Sequence, residues 1–126
     1  MKTKWLDRRV AAPGPFLALV LSQAECDAAM RSCGQPSTPY LATPRADATT
    51  HLLCNAKGES VAIVAMGDTS KRSSVEIAGL LVHEAVHVWQ EHCANIGERR
   101  CGVEQEAYGI QGIAQTLMEE YARRCA

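Results

Sequence analysis

The sequence predicts an α+β fold in which a central helix and a C-terminal helix pack on a small, mostly antiparallel sheet. Three observations carry this. Residues 74–93 and 103–124 place apolar side chains at helical spacing over about five turns each. Two strand-like runs, Thr49 to Asn55 and Ser60 to Met66, flank Ala56-Lys57-Gly58-Glu59 and read as a β-hairpin with glycine in its turn. The chain has 126 residues, 47% of them apolar and 21% charged, which suits one soluble globular domain, residues 1–126, with one core.

Taken in order, residues 1–15 are polar and broken by Pro13-Gly14-Pro15, with Trp5 and Leu6 as anchors of an irregular lead-in. Phe16 to Leu21 is a short buried strand by its length and boundaries, with a helix as the alternative. Ser22 and Glu25 form a capping box that starts a helix reaching about Cys33, with Ala24, Ala28, Ala29 and Met30 inward and Gly34 as its stop. Gln35 to Ala46 holds Pro36, Pro39 and Pro44, each removing a backbone donor, so a surface loop is expected. Val61 to Met66 is apolar throughout, as a buried strand would be.

A second capping box, Ser73 with Glu76, opens the central helix, Ser74 to about Cys93. Within it Gly79 suggests close approach to a strand. Ala94 to Gly102 is a loop with adjacent arginines, Arg99 and Arg100. The last helix, Val103 to Arg124, is expected to bury Val103, Ala107, Ile110, Ala114, Leu117 and Tyr121, with Ile113 beside them. Gly109 and Gly112 lie off that row and weaken the helix.

A formal charge of −1 and the lack of any basic stripe with interleaved aromatics argue against nucleic acid or a membrane surface as partner. No apolar stretch approaches the roughly twenty residues that span a bilayer. Lys2, Lys4, Arg8 and Arg9 precede the apolar Phe16 to Leu21, but six apolar residues make too short a core for a secretory signal, so a cytoplasmic location is expected. Six cysteines, an even number, leave a disulfide framework open, but reduced thiols are expected, several of them buried. Cys93 and Cys101 flank a short loop and can bridge in an oxidising compartment, whereas Cys26 and Cys33 lie too far apart along one helix to bond.

The chemistry concentrates in Leu80-Leu81-Val82-His83-Glu84-Ala85-Val86-His87-Val88-Trp89. Two histidines four apart lie one turn apart, about 6 Å along the axis, and project from one face toward a common point, as metal ligands must. Glu84 sits about 100° round the helix, placed to reach a water beside the ion as a general base. The uncharged neighbours fit a helix packed on a core. A helix holding one histidine in the core and one at the surface, without metal, is the alternative.

A catalytic zinc usually takes three protein ligands and keeps a position for water. Val103-Glu104-Gln105-Glu106-Ala107-Tyr108 brings carboxylates to the first turn of the following helix, where the helix dipole favours them in any case. Periodicity leaves the choice open. Glu106 lies nearer the apolar row, and Glu104 shares a face with Tyr108, Gln111 and Gln115.

His83-Glu84-x-x-His87 followed by Glu104-Gln105-Glu106-Ala107 resembles the gluzincin metallopeptidases, in their minimal "minigluzincin" form, over residues 74–121. His83 to Gln90 with Glu104 to Gln111 is also similar to uncharacterised phage- and prophage-associated proteins. The resemblance implies a zincin-like domain, zinc held by His83, His87 and Glu104 with Glu106 as the alternate third ligand, and a peptide or protein substrate. It puts Tyr108 where the family has an aspartate, and a phenol accepts a hydrogen bond from a ligand histidine less strongly.

In the implied reaction zinc activates water and polarises the scissile carbonyl. Glu84 takes the water's proton and later delivers it to the leaving amine. Tyr108, Tyr40, His92 and His51 are candidate donors to the oxyanion. Val61 to Met66 would be the edge strand that pairs with an extended peptide. The other functional expectation is a non-catalytic, zinc-containing accessory or interaction module that keeps the helix pair as scaffold.

Overall fold

A computed structural model describes residues 1–6, 14–98 and 101–125. Arg8, Arg9, Pro13, Arg99 and Arg100 lie outside them. The elements run β1 (Phe16–Val20), α1 (Gln23–Ser32), β2 (Ala48–Cys54), β3 (Ser60–Met66), α2 (Ser74–Asn95) and α3 (Val103–Arg124).

The sheet is three-stranded in the order β1-β3-β2. β1 pairs with β3 in parallel, Ala18 opposite Ile63, and β2 pairs with β3 antiparallel, His51 opposite Ile63. It is therefore mixed rather than mostly antiparallel. The hairpin accounts for the antiparallel half, and β1 joins through a crossover that includes α1. β3 is the central strand and β2 the edge, which corrects the expected edge at Val61 to Met66. Every residue of that stretch is buried because helices cover both faces of the sheet.

The period of two along β1 and β3 separates two apolar clusters. Leu17, Leu19, Ala62, Val64 and Met66 meet Leu81, Ala85, Val88, Trp89, Ile113 and Leu117 of α2 and α3. Ala18, Val20, Val61, Ile63 and Ala65 meet Cys26, Ala29, Met30 and Cys33 at α1. The result is three layers, with α1 on one face and the α2–α3 pair on the other. Leu6 joins the first cluster and donates its N–H to Leu17 O at 2.8 Å, while Trp5 meets Phe16 edge-on.

The caps follow the sequence closely. Ser73 Oγ accepts from Glu76 N, and Glu76 Oε1 accepts from Ser73 N. At α1 only half of the box forms: Ser22 Oγ accepts from Glu25 N, whereas Glu25 accepts from Leu21 N and Arg124. Arg124 thus ties α3 to α1. Glu120, buried, accepts from Arg123 and from Lys4, tying α3 to the N-terminal lead-in.

Three packing expectations change. Ala24 is exposed, and Cys26 fills the core position in its place. Val103 is 84% exposed and Ala107 is exposed, so burial along α3 begins only at Gly109. Gly79 approaches no strand: a Cβ there would meet nothing within 4 Å. The glycine that close packing demands is Gly109, where a Cβ would fall 2.2 Å from Trp89 Cζ3.

Candidate metal centre

Leu81, Ala85, Val88, Trp89, His92 and Cys93 form the buried face of α2. His83 and His87 lie on the outward face and are exposed, and Glu84 sits at the boundary, only 4% exposed. The register follows from the sequence: the apolar positions recur every three or four residues and orient the helix, and the histidines fall on the remaining arc.

His83 Nε2 and His87 Nε2 are 3.2 Å apart, close enough for one ring to donate a hydrogen bond to the other. Two nitrogens bound about 2.0–2.1 Å from one tetrahedral ion stand about 3.3 Å apart, so the pair fits a shared metal without rotamer change. One ligand atom each from His83, Glu84 and His87 lie within 4.8 Å of one another, and this is the group among the described residues that can hold a metal ion. Glu84 is 4% exposed as a residue but lines a cleft, where its carboxylate is open to a ligand.

His83 and Glu84 open into this cleft, of about 540 Å³, between α2 and the start of edge strand β2, whose other lining residues are Ala46, Asp47, Ala48, Arg72, Glu76, Gly79 and Leu80; His87 does not line it. Arg72 donates to Asp47 and lies 3.6 Å from Glu76. Glu76 is held below the usual carboxylate range, first by the Ser73 backbone N–H and then by the Ser73 side chain, with Arg72 adding a smaller effect. Asp47, Glu76 and Glu84 against Arg72 give the lining more acidic than basic side chains.

Neither Glu104 nor Glu106 belongs to the group. Cys101 is bonded to Cys93, Gly109 lies against Trp89, and Tyr121 hydrogen-bonds Thr69, so α3 runs back along α2 on the side that Trp89 faces. Trp89 is two residues beyond His87, about 200° round the helix, so its contact with α3 lies away from His87. Glu104 is exposed with Tyr108, Gln111 and Gln115 on the outer row of α3. Glu106 borders a separate cavity with Trp89, Gln90, Cys93 and Cys101.

None of the four expected oxyanion donors lines the cleft. Tyr108 is 69% exposed. His92 is buried beside Trp89, ring centroids 5.2 Å apart. His51 Nε2 is 2.7 Å from Tyr40 O, in a local pair. The cation that does line the cleft is Arg72, which sequence reasoning missed because a lone arginine in a polar linker carries no motif.

The Cys93–Cys101 bridge departs from the expectation of reduced thiols, and Cys26, Cys33, Cys54 and Cys125 are free. Among the described residues no helix is long and apolar enough to cross a membrane. No protein-family model, curated protein or solved structure matches the chain.

Proposed function

We propose that this chain is a small zinc-dependent metallopeptidase with His83 and His87 as its metal ligands and Glu84 as its general base. The observation that carries the reading is the 3.2 Å separation of the two Nε2 atoms, with a Glu84 ligand atom within 4.8 Å of them. Two imidazoles with oxygen donors suit zinc among the common divalent ions. Zinc, when bound, supplies an activated water and a Lewis acid for the scissile carbonyl.

The chain's own residues do the rest. Glu84 takes the proton of the attacking water and delivers it to the leaving amine. Arg72, at the other end of the cleft, orients substrate rather than reacting atoms. The unpaired edge of β2 offers backbone donors and acceptors to an extended peptide.

One observation favours the second reading, a non-catalytic zinc-binding module: the cluster of His83, Glu84 and His87 includes neither Glu104 nor Glu106, which leaves two histidine ligands where catalytic zinc sites usually have three protein ligands. Turnover separates the two. Zinc-loaded wild type is expected to cleave a quenched-fluorescent peptide library, with Glu84→Gln at least 100-fold slower and its zinc retained. Equal rates in both proteins would refute the peptidase.

A further inference from the structure

We infer that two copies of this chain share one zinc ion when zinc is scarce, each copy holding it through His83 and His87. The inference goes beyond the peptidase reading and needs only the histidine pair as a metal site. Zinc in proteins is most often four-coordinate and tetrahedral. One chain brings two imidazoles to the ion, with Nε2 atoms 3.2 Å apart. The one acid grouped with them is Glu84, the base of the proposed reaction, and neither Glu104 nor Glu106 belongs to the group. Two positions on the ion are therefore left for donors from outside the chain. Two bound nitrogens make one edge of the tetrahedron, and the opposite edge has the same length. A two-fold axis through the ion exchanges the two edges, so the same histidine pair from a second copy fits the open one. The contact is isologous, the commonest kind between identical chains.

The surface round the pair fits such a contact. Both histidines are exposed, and Val82, 38% exposed, lies beside them with half-buried Val86. Gly79, one turn before His83, has no side chain to stand in the way. The charges on α2 nearest the pair are all acidic: Glu76, Glu84 and Glu91. Arg72 is engaged with Asp47 and lies 3.6 Å from Glu76. Two copies of this face repel each other, so the ion supplies the attraction and the copies part without it. Mass action sets the rest. Four imidazoles hold an ion more tightly than two, so scarce zinc is shared, whereas excess zinc gives each chain its own ion and separates the copies. A shared ion keeps no position for water, which makes the dimer the closed form of the site and the monomer the open one.

The test is sedimentation velocity of the full chain at fixed concentration, with zinc absent, at half an equivalent and in tenfold excess, together with the zinc content of each sedimenting species. Wild type is expected to be a monomer without zinc, chiefly a dimer carrying one zinc per two chains at half an equivalent, and chiefly a monomer again in excess zinc. His83→Ala and His87→Ala should remain monomers throughout and, without zinc, melt at the wild-type temperature, since both positions are exposed. Monomers that carry one zinc each at every ratio would overturn the inference and leave the histidine site standing. A dimer that forms without zinc, or that persists in either histidine variant, would equally overturn it. Wild type that takes no zinc would remove the metal site and the inference together.

Discussion

Replacing Gly109 with alanine tests the packing that fixes where α3 lies. In an exposed helix interior this change stabilises by up to about 1 kcal/mol. Here the new methyl would stand 2.2 Å from Trp89 Cζ3, 2.5 Å from Cε3 and 2.8 Å from Cη2. Ordinary carbon contacts lie near 3.5–4.0 Å, so indole and backbone must separate by more than about 1 Å. The indole is rigid and buried, and has no flexible end to move aside. Overpacking of this kind costs about 1–3 kcal/mol and at times more. Against the helix gain, the net expectation is destabilisation of about 1–2 kcal/mol, or roughly 3–8 °C in melting temperature for a domain of this size. Urea and thermal unfolding followed by far-UV circular dichroism measure it, with Gly79→Ala as internal control. The same substitution should stabilise at position 79 and destabilise at 109. If Gly109→Ala melts at or above the wild-type temperature, Trp89 does not pack on α3 as described.

Two further predictions concern the ties that hold the layers. Glu120 is pushed down to about 2, chiefly by its hydrogen bonds from Arg123 and then by Lys4, against an opposing effect of burial. A carboxyl lowered from 4.5 stabilises the fold fully above about pH 4.5, and that contribution fades as pH falls toward about 2. The fall corresponds to about 3 kcal/mol, which solvent around the more exposed Lys4 and Arg123 screens to about 1–2 kcal/mol. Glu120→Gln should therefore be less stable than wild type by that amount at pH 7, with the two unfolding curves converging near pH 2–3; a constant gap across this range would contradict the pairing. The Cys93–Cys101 bridge closes a short loop across a sequence separation of 8. Chain entropy assigns such a closure about 2.5 kcal/mol. Thiol titration of the denatured, unreduced protein should count four free thiols, and Cys101→Ser should unfold at correspondingly lower urea; six free thiols would refute the bridge.

Most of the architecture was legible because local and tertiary preferences agree. Ser73 and Glu76 mark the start of α2, Gly58 marks the hairpin turn, and the strand Ser60–Met66 falls within the predicted boundaries. What the sequence concealed was arrangement. A fully apolar strand reads the same at a sheet's edge or centre until both covering layers are known, and α1 supplies the second layer for Val61, Ile63 and Ala65. The histidine pair was legible because four-residue spacing has only one meaning on a helix. Its surroundings were not. Glu104 shares a face with Tyr108, Gln111 and Gln115, and the polarity of that face marks it as solvent-facing, a signal that a local motif does not contain. Gly109 was read as a weakness of α3, since its partner, Trp89, lies twenty residues away in sequence. Asp47 and Arg72 reach the cleft from separate loops, with no periodicity to announce either.

The central claim, one ion held by His83 and His87, is tested most directly by zinc content. Wild type, His83→Ala, His87→Ala, Glu104→Ala and Glu106→Ala would be purified, equilibrated with zinc, gel-filtered and analysed by elemental mass spectrometry. The account predicts close to one zinc per chain in wild type, loss in both histidine variants, and retention in both glutamate variants. Wild type without zinc, or zinc kept by either histidine variant, would contradict it.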